Sequence, residues 1–229
     1  MTSLAESLAS VLDRIDRACH RAGRDRSAVR LVAVSKTVPV ERIAELVDLG
    51  HDLLGENRVQ EALAKIPQLG GRAAWHLIGH LQRNKVRQVI GLFELIHSVD
   101  NLKLGREIDR RAAAAGVKQQ VLIQVNVSDE STKHGTHESD LPELLDGLVS
   151  LDHVDVRGLM TIPPPVQRPD ESRPWFVLSR ELRDRTAARL GRDLPELSMG
   201  MTDDFEVAIE EGATLIRVGR AIFGERPSD

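Results

Sequence analysis

Short apolar runs alternate with amphipathic helical stretches about eight times along this chain. No other feature restricts the fold as much. The first run, Leu31-Val32-Ala33-Val34-Ser35-Lys36, is largely β-branched or aliphatic and closed by Thr37-Val38-Pro39, the pattern of a parallel strand buried on both faces. Further strand-like runs lie at 52–54, 74–80, 94–99, 120–127, 154–160, 197–199 and 215–218. Helical spacing is seen between them at 40–49, 58–66 (stopped by Pro67), 83–90, 102–115, 141–149, 175–190 and 205–211. Strands separated by helices pair in parallel. About eight such units predict an α/β fold, a single (β/α)8 TIM barrel over residues 1–229. Leu4, Leu8, Val11, Leu12, Ile15 and Cys19 recur at helical spacing, so residues 1–23 predict an extra N-terminal amphipathic helix packed on the barrel. A doubly wound open sheet is the structural rival, but no Gly-x-Gly-x-x-Gly turn follows the first strand.

Composition narrows the function. At 41% hydrophobic and 29% charged, the 229 residues can fill a core and stay soluble. A net charge of −4 with no basic face gives no footprint for nucleic acid. One cysteine, Cys19, excludes an intramolecular disulfide framework. No apolar stretch is long enough for a membrane helix. Glu6, Asp13 and Asp16 interrupt the N-terminal apolar residues, unlike a signal peptide. A cytoplasmic globular protein is expected.

The chemistry centres on Lys36. Only six of the 31 basic residues are lysines, and the other five (Lys65, Lys85, Lys103, Lys118 and Lys133) fall in helix-like or loop-like sequence. A cation at the end of a buried strand is costly without a partner or a chemical use. Burial also frees a lysine amine to form a Schiff base, although a strand-end lysine that snorkels to solvent is the plain alternative. Barrel sites lie at the C-terminal ends of the strands. Besides Lys36, those ends here are Gly55-Glu56-Asn57, His80, Ser98, Met160, Ser198–Thr202 and Arg217–Arg220. The last two follow strands seven and eight, where barrels frequently hold a phosphate. Ser198-Met199-Gly200-Met201-Thr202-Asp203-Asp204 runs from strand to helix and can present amides and hydroxyls to an anion. Thr202 or Asp203 as an ordinary N-cap is the competing account. His76, His80 and His97 raise a metal site as a further alternative, set against a polar layer at the barrel mouth; no His-Glu-x-x-His helix is present. Arg83, Lys85 and Arg87 suit a solvated helix face, or a phosphorylated partner.

A lysine facing a phosphate site suggests pyridoxal phosphate (PLP), whose aldehyde takes the lysine and whose ester takes the loops. The segments AVSKT, GEN-x-VQE, WHLIGHLQ-x-NK, VLIQVNVS, GLMTI, LSMGMTDD and IRVGRAIFGER resemble the pyridoxal phosphate homeostasis protein family, in order and over nearly the whole chain. The resemblance implies a barrel like the N-terminal domain of alanine racemase, with PLP as cofactor. It implies that Lys36 is the Schiff-base lysine with Asn57 beside the cofactor. Ser198, Gly200, Met201, Thr202 and Gly219 would surround the phosphate, and Arg217 would face the pyridine nitrogen. Two positions depart from the family pattern: Arg220 stands where a small hydroxyl residue is frequent, and Thr202 where serine is. The implied role is holding and delivering PLP, with apo-enzymes that use PLP as recipients and a monomeric barrel as the carrier. The rivals are an amino-acid racemase and a cofactor-free class I aldolase. The composition weakens the first, because racemases of this type use a tyrosine on the second face and this chain has none. For Arg217 the alternative to a cofactor contact is a pairing with a barrel carboxylate such as Glu56.

Overall fold

The computed structural model describes residues 2–128 and 134–225; Lys133 lies outside them. Eight strands close into a barrel in chain order: β1 (Arg30–Val34), β2 (Leu53–Glu56), β3 (Ala74–Leu77), β4 (Leu95–Val99), β5 (Gln119–Val125), β6 (Val154–Thr161), β7 (Glu196–Ser198) and β8 (Leu215–Val218). All neighbours run parallel, and β8 closes on β1 with Arg30 opposite Leu215 and Ala33 opposite Val218. The described α-helices are α1 (Leu4–Arg21), α2 (Val40–Asp48), α3 (Val59–Leu69), α4 (Val86–Val89), α5 (Leu102–Ala115), α6 (Leu141–Val149), α7 (Arg173–Leu190), α8 (Phe205–Glu210) and α9 (Arg220–Phe223).

The period-two alternation of the strands sorts side chains into two cores. Leu31 and Ala33 of β1 face outward, into the layer shared with the helices. Val32 and Val34 face inward, where they meet Ile78, Leu95, Leu122, Met160 and Leu215. That inner cluster fills the barrel and leaves room for a site only at its upper end. The next inward position along β1 is Lys36.

Helix α1 starts at a capping box, in which Ser3 Oγ accepts from Glu6 N (3.2 Å) and Glu6 returns a bond to Ser3 N (2.8 Å). It buries Leu4, Leu8, Val11 and Ile15, and Arg14 clamps Glu206 of α8 through two 2.8 Å bonds. The N-terminal segment thus braces the outer wall behind β7 and β8.

Three local expectations fail for identifiable reasons. Helix α3 does not stop at Pro67 but runs through it to Leu69, ending where Gly70 adopts the left-handed conformation. Leu69 is buried there, and its packing offsets the backbone bond that proline forfeits. The strand expected over 74–80 ends at Leu77. The basic helix expected over 83–90 is a 3-10 turn (Arg83–Lys85) followed by the single turn α4. Helix α7 begins at Arg173, with Pro174 in its first turn, where a missing N–H costs nothing.

Candidate cofactor site at the barrel mouth

A cavity of about 260 Å³ opens at the C-terminal end of the barrel, lined by Val34, Lys36, Asn57, Ile78, Ile162, Met201, Thr202, Asp203, Arg217, Gly219 and Arg220. Seven of the nine residues expected from the sequence therefore share one wall. The other two, Ser198 and Gly200, stand behind it. The Ser198 hydroxyl is fully buried and engaged by Arg217 and His97. Gly200 has φ +88°, and a Cβ there would lie 2.5 Å from that of Ala208. It lets the β7 loop press flat on α8.

Lys36 is half-buried, and its Nζ makes no hydrogen bond or ion pair among the described residues. Beside it, the buried Asn57 Oδ1 also lacks a partner. The turn carrying Asn57 is held tight by Gly79, whose backbone approaches so closely that a Cβ would sit 2.2 Å from the Asn57 carbonyl oxygen. On the opposite side, the amides of Thr202, Asp203, Gly219 and Arg220 donate to no protein acceptor among the described residues. The Met201 amide is taken by Asp204 Oδ1 (2.7 Å), whose other oxygen accepts from Ser172 (3.0 Å). Asp204, rather than Thr202 or Asp203, is thus the N-cap of α8, and its side chain shapes the loop instead of capping the helix. The guanidinium of Arg220, whose direction the sequence left open, turns to Asp203 and toward Glu225.

Arg217 lies under the cavity floor, 4% exposed, and its Nη1 donates to Ser198 Oγ (2.6 Å) and its Nη2 to the Thr161 carbonyl (2.9 Å). The alternative pairing with Glu56 is not formed. Burial pushes Arg217 down to about 10, opposed by the Asp204 carboxylate, so it remains a cation at neutral pH. Ser198 Oγ continues to His97 Nδ1 (2.9 Å), and His97 Nε2 to His76 Nδ1 (3.0 Å). Both imidazoles are neutral. Burial pulls His76 down to about 3 and holds His97 well below the ordinary histidine range. This polar layer crosses the barrel from β8 to β3. His76 and His97 lie in it, whereas His80 stands apart at the rim.

Sequence reasoning missed the support beneath Lys36. Lys65 reaches inward from α3 to the Ser35 carbonyl and to Glu56 Oε1, both at 2.7 Å. Ser35 Oγ donates to the same carboxylate oxygen (2.7 Å), while Oε2 is buried without a partner. Desolvation raises the Glu56 pKa, against the lowering pull of Lys65 and Ser35. Thr37, directly after Lys36, has φ +63°, a region β-branched residues avoid. Its amide is held by Glu61 Oε2 (2.9 Å). The four-residue spacing of Glu61 and Lys65 on α3 was the available signal, since residues four apart share a helix face.

Residues 7–227 match the model of the alanine racemase N-terminal domain family. The "pyridoxal phosphate homeostasis protein" of Aquifex aeolicus is 49% identical over 222 residues, covering 96% of this chain and 97% of that one. The chain belongs to this family. Among solved structures, PipY of Synechococcus elongatus PCC7942 with PLP bound superposes at a TM-score of 0.85 with 38% identity, over 97% of this chain and 100% of that one. Alanine racemase of Clostridium difficile 630 shares the fold at a TM-score of 0.74 and 15% identity, over 95% of this chain and 57% of that one. The family's barrel is therefore this chain's barrel. No described helix is long and apolar enough to cross a membrane.

Proposed function

We propose that this chain binds PLP covalently at Lys36 and serves to hold and hand on the cofactor, without racemase turnover. One observation carries the reading: a single cavity is lined by Lys36, whose amine is unpaired among the described residues, by four residues whose backbone amides are likewise unpaired, and by Arg217. The PLP-bound PipY relative and the homeostasis proteins give it support from outside the chain.

The residues fit the group. Thr202, Asp203, Gly219 and Arg220 offer N–H donors where a phosphate needs several, and the Thr202 hydroxyl adds another. Asn57 leaves a buried carbonyl oxygen open to a hydroxyl donor. Lys36 supplies the amine, with no carboxylate among the described residues holding it in an ion pair. When bound, PLP supplies an aldehyde that such an amine can attack.

Arg217 sets the limit on chemistry. A guanidinium donates hydrogen bonds and cannot accept them. A ring nitrogen facing it would stay unprotonated, which would withhold the electron sink that α-proton removal requires. The chain also has no tyrosine to serve the opposite face. Arg217 is held in place by Ser198 and Thr161, so this bias is built into the core. The recipients we propose are apo-enzymes that use PLP, served by a monomeric, cytoplasmic barrel.

The test is an absorption spectrum of the chain loaded with PLP, before and after borohydride, with peptide mapping. A visible band lost on reduction and a label on the Lys36 peptide are expected. Rapid deuterium incorporation at Cα of alanine in heavy water, lost in Lys36→Ala, would establish an enzyme instead.

A further inference from the structure

At the rim of the mouth, outside the Lys36 cavity, three side chains from successive strand ends converge. His80 follows β3, Asp100 follows β4, and His134 lies in the loop after β5. The two imidazoles stack face to face, with ring centroids 3.9 Å apart and planes 10° from parallel. Asp100 Oδ2 is 3.9 Å from His80 Nδ1. One ligand atom from each of the three residues lies within 4.8 Å of the other two.

We infer that His80, Asp100 and His134 form a binding site for a divalent transition metal ion of the zinc, cobalt and nickel class. Two imidazoles and one carboxylate are the donor set these borderline ions prefer over magnesium or calcium. Three protein ligands also leave a coordination position open for water or an anion. Bonds of 2.0–2.2 Å place tetrahedral ligand atoms about 3.3 Å apart. Closing the present cluster around an ion therefore takes side-chain rotations of roughly 1–1.5 Å, which half-exposed imidazoles can make.

The surroundings support the ligands. Asn101 Nδ2 donates to Asp100 Oδ1 (2.7 Å), which turns Oδ2 toward His80. Asn101 is itself locked, because its Oδ1 caps α5 by accepting from Leu104 N (2.9 Å). The backbone of His134 is tied to β5: its carbonyl accepts from Gln124 Nε2 (3.2 Å), and Thr136 exchanges bonds with Asn126 (2.9 Å) and Gln124 (2.8 Å). Such outer contacts orient metal ligands in built sites. The His76–His97 pair is fully buried and bonded to Ser198, so the rim cluster is distinct from it.

Calorimetric titration of the EDTA-treated, untagged full chain with Zn²⁺ should show one site per chain. His80→Ala and His134→Ala should each weaken binding at least about tenfold, the scale seen even when only supporting contacts are lost. With Co²⁺, the visible bands of a low-coordinate nitrogen and oxygen site should appear and then vanish in His134→Ala. Should an alanine variant lose its circular dichroism spectrum, His134→Gln with the Co²⁺ bands decides instead. Absence of saturable binding would overturn the site. So would equal affinity in the His80→Ala/His134→Ala double variant, which would place the ion elsewhere, for example at His153 and Asp109.

Discussion

The two sides of the barrel mouth are built on different principles. On the β1–β2 side two lysines lie on opposite faces of the sheet. Lys65 is 12% exposed and locked to Glu56 and Ser35, while Lys36 faces the cavity with no partner among the described residues. On the β7–β8 side the groups that reach the cavity are mostly backbone amides, whose aim is set by loops and not by rotamers. A covalent handle must be mobile and unpaired, whereas an anion cradle must be rigid. From the β7–β8 side the Arg217–Ser198–His97–His76 chain crosses the barrel interior to β3. The contrast teaches that a lysine becomes chemically available by being denied a carboxylate, even when one lies on the next strand.

The sharpest way to break this contrast is to exchange the fates of the two lysines. Lys36→Ala should abolish the borohydride-fixed label entirely. Lys65→Met should leave labelling at Lys36 intact. A label on Lys65 or Lys85 would erase the distinction.

The same Lys65→Met change should cost stability, about 3–5 kcal/mol in urea unfolding, because it strands a buried carboxylate. Protonation of Glu56, whose pKa burial already raises, limits the loss. Lys65→Met combined with Glu56→Gln should therefore recover part of it. A double variant no more stable than the single one would show that the pair acts through something other than charge.

The central chain can be read through pH. His76 titrates near 6.5 when unfolded and near 3 when folded. Its depressed native pKa contributes stability that is complete above 6.5 and is lost as pH falls toward 3. The expected slope is about 1.4 kcal/mol per pH unit within that window for each such histidine. His97 shifts the same way and adds to it. His76→Asn should flatten the slope between pH 6 and 4, measured by urea midpoints; an unchanged slope would assign the acid lability elsewhere.

The smallest effect belongs to the β7–β8 side. A hydrogen bond to phosphate is worth roughly 1.5–3 kcal/mol. Thr202→Val should therefore weaken PLP retention by on the order of tenfold with the fold intact. Gly219→Val, which adds a branched side chain to the cavity lining, should weaken it further. Equal retention in both variants would move the anion cradle off this side.

Much of this was legible in the residue order. Period-two runs separated by helical ones are enough to call a parallel barrel, and a lysine continuing the inward register of Val32 and Val34 marks its mouth. Helix ends were less legible. Pro67 is a stop signal only if nothing beyond it packs, and Leu69 packs. Arg83–Ile90 has helical spacing, yet the chain makes a 3-10 turn there and then the single turn of α4, with Val86 and Val89 fully buried.

What the sequence determined by itself is the alternation of faces along each strand, which puts Lys36 on the same face as Val32 and Val34, and the strand-end positions of Lys36 and Arg217. These follow from backbone periodicity, a local property. The partners were decided only by the tertiary structure. Glu56 takes Lys65 rather than Arg217, Ser198 turns to Arg217 and His97 behind the wall, and His80 leaves its neighbours on β3 and β4 to stack on His134. Each choice depends on strand register and on side chains 9 to 101 residues apart meeting at about 3–4 Å, where hydrogen bonding and desolvation are settled.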